Sequence, residues 1–250
     1  MNNLKSICIH GTILNLNINN IKLLITDPPL FNDIKIENIF SENNLTSIEN
    51  ENLYVDEIKK YFNQIFLKLS NDPVIVLGHL GKSFSNNKKN NNIINFFNEN
   101  NFYINEIIIV NHKKGSKKWF VFKKNNIEYI NEINISIEKN LKLKPTVDKF
   151  NYVGANNENT IKYIIERYTK PNDIVVDIFG GSGTVACVSK AIDRIGINIE
   201  IEKEIHEYAE FCLNDTDYLK KIATLPEKMH SINKINTKDM LFKHIDDFLT

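Results

Sequence analysis

At 250 residues, with 42% hydrophobic and 25% charged side chains, the chain has the make-up of a globular protein able to bury one large core. Lysine plus arginine matches aspartate plus glutamate at 31 each, so overall charge singles out neither a nucleic-acid nor a membrane partner. Cys8, Cys187 and Cys212 are too scattered for a metal or C-x-x-C site, the histidines form no H-x-x-x-H pattern, no apolar run nears the roughly 20 residues of a spanning helix, and the start lacks a secretory h-region; the expected setting is a reducing cytoplasm, or the nucleus in a eukaryote.

Ser6–His10 reads as a short strand followed by Gly11. Ile21–Thr26 is continuously apolar, as suits a buried parallel strand. It stops at Asp27-Pro28-Pro29, where neither proline can donate to a ladder and the residue before a proline is pushed toward extended geometry. Asp27 therefore sits on a stiff corner at the carboxyl end of a strand, where open α/β sheets place their ligands. A solvated aspartate on an inert turn is the plainer alternative. Val55–Leu69 spaces Ile58, Tyr61, Phe62, Ile65, Phe66 and Leu69 as one face of a helix. Asn71-Asp72-Pro73 ends it, and Val74–Leu77 is a further buried strand. Gly78–Lys82 lacks the spacing of a phosphate loop and reads as a strand-end loop holding His79.

Asn92–Asn100 is a predicted helix and Ile104–Val110 a strand. Trp119–Phe122 and Ile127–Ile130 flank Lys-Lys-Asn-Asn and predict a hairpin, and residues 131–150 show no regular pattern. Helix Asn159–Thr169, strand Ile174–Asp177, glycine loop Gly180–Thr184, helix Thr184–Arg194, strand Ile195–Ile199 and helix Glu202–Leu213 follow, with a last helix near Asp239–Leu249. Strands alternating with helices predict an α/β fold with a parallel sheet covered on both faces. Residues 1–250 read as one domain, with 111–150 a short basic insert and 214–250 a helical tail.

The glycine loop is the second chemical feature. Glycines let a ligand approach the backbone, and the helix that follows offers free N–H groups and the positive end of its dipole. Gly181–Ala186 also fits a G-x-G-x-x-A dinucleotide fingerprint, with Glu200 about 20 residues on. On this loop alone, a nicotinamide oxidoreductase, another nucleotide-type cofactor site and a purely structural turn all stay open.

A strand ending in D-P-P, followed far along the chain by D-x-F-x-G-S-G-T, resembles the S-adenosylmethionine-dependent amino-methyltransferases of DNA (N6-adenine and N4-cytosine), in the permuted order that places the catalytic motif first. The likeness takes in CIHGTILN…IKLLITDPPL, KPTVDKF…NENTIKYIIERYTKPNDIVVDIFGGSGT and RIGINIEIEKEIHEYAEF, most of residues 6–213. It implies a Rossmann-like methyltransferase fold with a mostly parallel seven-stranded sheet. It implies S-adenosylmethionine as cofactor, DNA as partner with RNA open, and adenine N6 as target, since Asp rather than Ser precedes Pro-Pro. The catalytic positions it marks are Asp27, Pro28, Pro29 and Leu30. The cofactor positions are Asp177, Phe179, Gly181, Ser182, Gly183, Thr184, Asn198, Glu200, Gly11 and Thr12. Departures are Leu30 for an aromatic, Ile178 for proline, Thr12 for aspartate and Asn198 for an acid, with Glu200 on the same strand face to stand in. A catalytically silent binding or specificity subunit is the alternative function, and a homodimer or partner subunit fits either.

Asn111–Asn126 holds Lys113, Lys114, Lys117, Lys118, Lys123 and Lys124 beside Trp119, Phe120 and Phe122, with no acid. Such lysines suit phosphate contacts, whereas the aromatics read as core. Lys82, Lys88 and Lys89 are further basic candidates.

Overall fold

A computed structural model of the chain describes residues 5–13, 16–28, 51–78, 90–112, 115–125, 127–136, 143–145, 156–226 and 230–236. In chain order the elements are β1 (Ile7–His10), β2 (Ile21–Thr26), α1 (Glu51–Phe66), β3 (Leu69–Leu77), α2 (Asn90–Glu99), β4 (Tyr103–His112), β5 (Gly115–Lys123) and β6 (Tyr129–Ser136). They continue with α3 (Glu158–Tyr168), β7 (Ile174–Asp177), α4 (Thr184–Ala191), β8 (Ile195–Glu200), α5 (Lys203–Asn214), α6 (Thr216–Ala223) and β9 (His230–Asn236).

The strands form one sheet in the order β1-β8-β7-β2-β3-β5-β4-β6-β9. From β1 through β3 every neighbour is parallel, and β5 then enters antiparallel to both β3 and β4. The α/β class is as expected, but the described sheet has nine strands rather than seven. The extra strands lie where the sequence carried weak signals. β6 covers part of the stretch without a regular pattern, and β9 is a polar strand, HSINKIN, whose exposed edge position gives it no need of an apolar pattern.

The predicted hairpin is also corrected. β5 folds back on β4, not onto β6, and β6 crosses over to lie parallel to β4. The β4–β5 ladder runs from His112 opposite Gly115 to Tyr103 opposite Lys123, so Trp119–Phe122 already have β4 as a partner. β5 and β6 thus build the sheet within 111–150, which the sequence marked as an insert. A smaller correction concerns Asn71-Asp72-Pro73, which lies inside β3 rather than in a turn. β3 meets β5 only at Ile75–Leu77, so Pro73 removes no ladder bond there, and the pairing with β2 shifts register between Ile21 and Leu23. The last predicted helix, Asp239–Leu249, lies outside the described residues.

Side-chain alternation splits the core in two. One face carries Leu24, Ile75, Leu77, Val176 and Ile197 against Ile58, Phe62 and Ile65 of α1 and Ile93, Phe96 and Phe97 of α2. The other carries Leu23, Ile25, Val74, Val76 and Val175 against α3, α4, α5 and α6. Each such side chain taken fully out of water stabilises the fold by roughly 1.5–3 kcal/mol before entropy is counted. Among the described residues no helix is long and apolar enough to cross a membrane.

Candidate active site

The chain leaves β2 through α1 toward β3, and leaves β7 through α4 toward β8, in opposite directions along the sheet. Because α1 and α4 pack on opposite faces, a crevice opens between the carboxyl ends of the adjacent strands β2 and β7. Such a switch point is where open α/β sheets bind ligands. Both chemical features of the sequence meet at it, Asp27 just past β2 and the glycine loop just past β7.

They are tied together by a buried hydrogen bond, in which Thr26 Oγ1 donates to Asp177 Oδ1 at 2.9 Å. The Phe179 amide donates to the same oxygen at 3.1 Å. Burial pushes the Asp177 carboxyl up from 3.8 to about 7, with Asp27 and Glu200 adding to the rise and the two hydrogen bonds opposing it. Past Phe179 the loop is pinned by its own backbone: Gly180 N–H donates to Ile199 O (2.9 Å) and Gly183 N–H to Gly180 O (3.0 Å). Gly183 caps α4 at φ 77°, a left-handed geometry that side chains rarely adopt.

Glu200, at the end of β8, holds the loop from the side. Its carboxylate accepts from the amides of Gly181 and Glu202, each at 2.8 Å. Burial pushes this carboxyl above its ordinary value. Asn198, two residues back on β8, is fully buried, and neither of its side-chain polar atoms has a hydrogen-bond partner among the described residues. It packs so closely under the loop that a Cβ on Gly180 would lie 2.0 Å from its Oδ1. Gly11 N–H donates to Glu200 O at 2.9 Å, which brings the Gly11–Thr12 turn to the same rim.

Lys144 is a contributor that the sequence did not single out. Its Nζ donates to Ser182 O at 3.1 Å and also contacts Ser182 Oγ, so a half-buried ammonium stands on the glycine loop. Burial holds it below the ordinary lysine range. Tyr208 of α5 fixes the segment by donating to Pro145 O at 2.9 Å. The K-P-T-V-D-K-F run carried the only hint, as part of the family likeness.

On the acceptor side Asp27 is partly exposed and Pro28 is buried, while Pro29 and Leu30 lie outside the described residues. Asp27 meets Lys117 of β5 through its Oδ2. The remaining basic positions separate. Lys123 pairs with Glu106 at 2.6 Å, Lys118 is half-buried and Lys124 is exposed. Lys113, Lys114, His79, Lys82, Lys88 and Lys89 lie outside the described residues. Trp119, Phe120 and Phe122 are core residues, as expected.

Residues 142–211, which include the glycine loop and Asn198, match the model of the DNA methylase family of N6 and N4 methyltransferases. The chain also resembles the Type II methyltransferase M1.MboII of Moraxella bovis, 35% identical over 69 residues, which is 28% of this chain and 26% of that protein. The matched segment is thus about a quarter of that relative's length. Two solved structures share the architecture more widely. The M1.HpyAVI–SAM complex aligns over 84% of this chain and 99% of its own, with a TM-score of 0.56 at 19% identity. The cytosine-N4-specific PvuII DNA methyltransferase aligns over 89% and 94%, with a TM-score of 0.59 at 18% identity. The fold is methyltransferase-like. The family match lies on residues 142–211, and outside them the likeness is one of fold alone.

Proposed function

We propose that the protein transfers a methyl group from S-adenosylmethionine to an exocyclic amino group of a base in DNA, with adenine N6 as the first target to test. The observation that carries this is the meeting of Asp27 and the glycine loop on adjacent strands at the switch point, bridged from Thr26 to Asp177.

The residues present fit the cofactor. The buried, unpaired amide of Asn198 is the kind of group that a ligand hydroxyl satisfies, and the acid at Glu200 lies on the same rim. Lys144 on Ser182 offers a cation to a carboxylate, and the start of α4 adds its dipole. Asp177, Phe179, Gly181, Ser182, Gly183 and Thr184 would line that side, with Gly11 and Thr12 at its edge. When bound, the cofactor supplies a methyl group already activated on a sulfonium.

The chain's own task is to make a poor nucleophile attack. An exocyclic amine is weak because its lone pair is delocalised into the ring. Asp27 and the Pro28 carbonyl would accept from its two N–H bonds and localise the lone pair toward the methyl carbon. Asp27 would also take the proton that the amine sheds on methylation and pass it to solvent. The two prolines hold the geometry, and misplacement by about 1 Å can cost about 100-fold. A base must leave the duplex to reach this corner, and Leu30 would offer it an apolar face.

The test is transfer of labelled methyl from S-adenosylmethionine to DNA, with RNA in parallel, after cofactor binding by calorimetry. Binding and transfer to DNA are expected. Binding without transfer to either nucleic acid would identify a silent subunit, and NAD(P) binding in place of S-adenosylmethionine would overturn the proposal.

A further inference from the structure

We propose that Lys117 is a positioning residue for Asp27, fixing one carboxylate oxygen so that the other meets the target amine; this rests on the amino-methyltransferase function proposed above. In the sequence Lys117 is one of six lysines in a basic stretch. In the fold it is the described lysine of that stretch that meets Asp27. β5 runs antiparallel to β3 with Phe120 opposite Leu77, so the residues before Phe120 overhang the carboxyl ends of β3 and β2. Lys117 reaches past β3 to Asp27, 90 residues away in sequence.

Its ammonium is held from three sides. It contacts Asp27 Oδ2, donates to Asn156 Oδ1 at 2.8 Å and lies 4.7 Å from the ring centroid of the buried Trp119. The indole face favours a cation there, and Asn156 stands just before the N-cap of α3. Asp27 is confined from its other side by Gly78 at the end of β3, where even a Cβ would come within 2.4 Å of Oδ1. With Oδ2 on the ammonium and Oδ1 over a bare glycine, the carboxylate has little freedom to rotate. The pair is still reachable, with the Lys117 and Asp27 side chains 28% and 24% exposed.

The chemistry follows from that clamp. A carboxylate free to turn presents its lone pairs over a wide arc, and an amine must meet one of them within about 3.2 Å to be polarised. The gain from the ammonium is orientation: it draws electron density toward Oδ2 and leaves Oδ1 a slightly weaker acceptor, but one held in a fixed direction for an incoming N–H. Lys117 touches neither base nor cofactor in this scheme and acts only through Asp27.

A phosphate-binding lysine would behave differently, and steady-state kinetics separates the two roles. Lys117→Met is expected to lower kcat by about 10- to 100-fold while KM for DNA and S-adenosylmethionine stays close to wild type. Lys117→Arg, which restores a cation able to reach both Oδ2 and Asn156, is expected to recover most of that loss. Unfolding midpoints of both variants guard against a folding defect. Should Lys117→Met fail to fold, Gly78→Ala displaces the same carboxylate from the opposite side and must show the same fall in kcat at constant KM. A raised KM for DNA at unchanged kcat, with the salt slope reduced by about 0.9, would make Lys117 a phosphate contact and overturn the assignment. Equal kcat losses in Lys117→Met and Lys117→Arg would overturn it too. A wild-type chain that moves no methyl to DNA or RNA refutes the proposed function and this assignment together. Wild-type transfer with full activity in Lys117→Met refutes the assignment alone.

Discussion

The two ends of β5 repeat one motif with opposite outcomes. Lys117 pairs with Asp27 and lies over Trp119, and Lys123 pairs with Glu106 and lies 5.1 Å from the ring centroid of Tyr168. Glu106 is almost sealed, 4% exposed, and a second cation closes it: Arg167 donates to Oε2 through Nε at 3.1 Å and Nη2 at 2.6 Å. Asp27 is several-fold more exposed and has one ion-pair partner among the described residues. A saturated carboxylate fastens α3 to the sheet, whereas an unsaturated one at a switch point keeps acceptor capacity for a ligand. The same pair of residue types is structural or chemical according to how many donors surround the acid.

Asp27→Ala is the most severe way to test this contrast. Methyl transfer should fall by at least about 100-fold with cofactor binding retained, measured by label transfer and calorimetry, since the amine loses an acceptor needed for attack. Unchanged transfer would place the chemistry elsewhere. Glu106→Gln should do the reverse. Removing the charge strands Arg167 and Lys123 and is expected to cost about 3 kcal/mol in urea unfolding, the low end for a broken buried pair because both cations remain partly exposed. The protein that stays folded should keep its kcat, and a matching kcat loss would erase the distinction.

Acidity provides a subtler separation. Burial works to raise the Glu106 carboxyl, but Lys123 and Arg167 outweigh it and hold the group below its ordinary 4.5. Its contribution is therefore present above the unfolded value and is lost as pH falls through the native one. Asp177 has the opposite sign. With its carboxyl raised from 3.8 to about 7, the native state keeps a proton that the unfolded chain sheds, so stability falls as pH rises from about 4 to about 7. Stability-versus-pH curves should lose the Glu106 share of their acid-side dependence in Glu106→Gln and this decline in Asp177→Asn. The smallest effect is expected just beyond the strand, at exposed Lys124. Lys124→Ala should leave kcat and stability alone and reduce the salt slope of DNA binding by about 0.9 at most, read by fluorescence anisotropy at several salt concentrations.

What could be read in the sequence was what is local. The D-P-P corner and the glycine loop are contiguous, so their placement at strand ends could be foreseen, as could the buried strands β2 and β7. Lys117 was visible only as one lysine of a run, because its partner is set by strand order across the sheet. Asn198 stood out as a departure from the family pattern, yet its buried and unpaired state depends on how tightly Gly180 approaches it. β9 has no apolar alternation because it lies at an open edge of the sheet, and the hairpin expected between Trp119–Phe122 and Ile127–Ile130 gives way to β4–β5 pairing, because strand order across the sheet is not encoded in a local turn signal.

The bond from Thr26 to Asp177 spans 151 residues of chain. That separation has a temporal side. A chain emerging from a ribosome at about 5–20 residues per second carries Asp27 for many seconds before the glycine loop exists to face it. During that interval β2 has β3 on one flank and nothing on the other, since β7 is its second neighbour. Closing so long a loop is entropically costly and slow compared with local pairing. Assembly of the crevice between β2 and β7 should thus be among the last events of folding, and the open flank of β2 is where a nascent chain most needs protection.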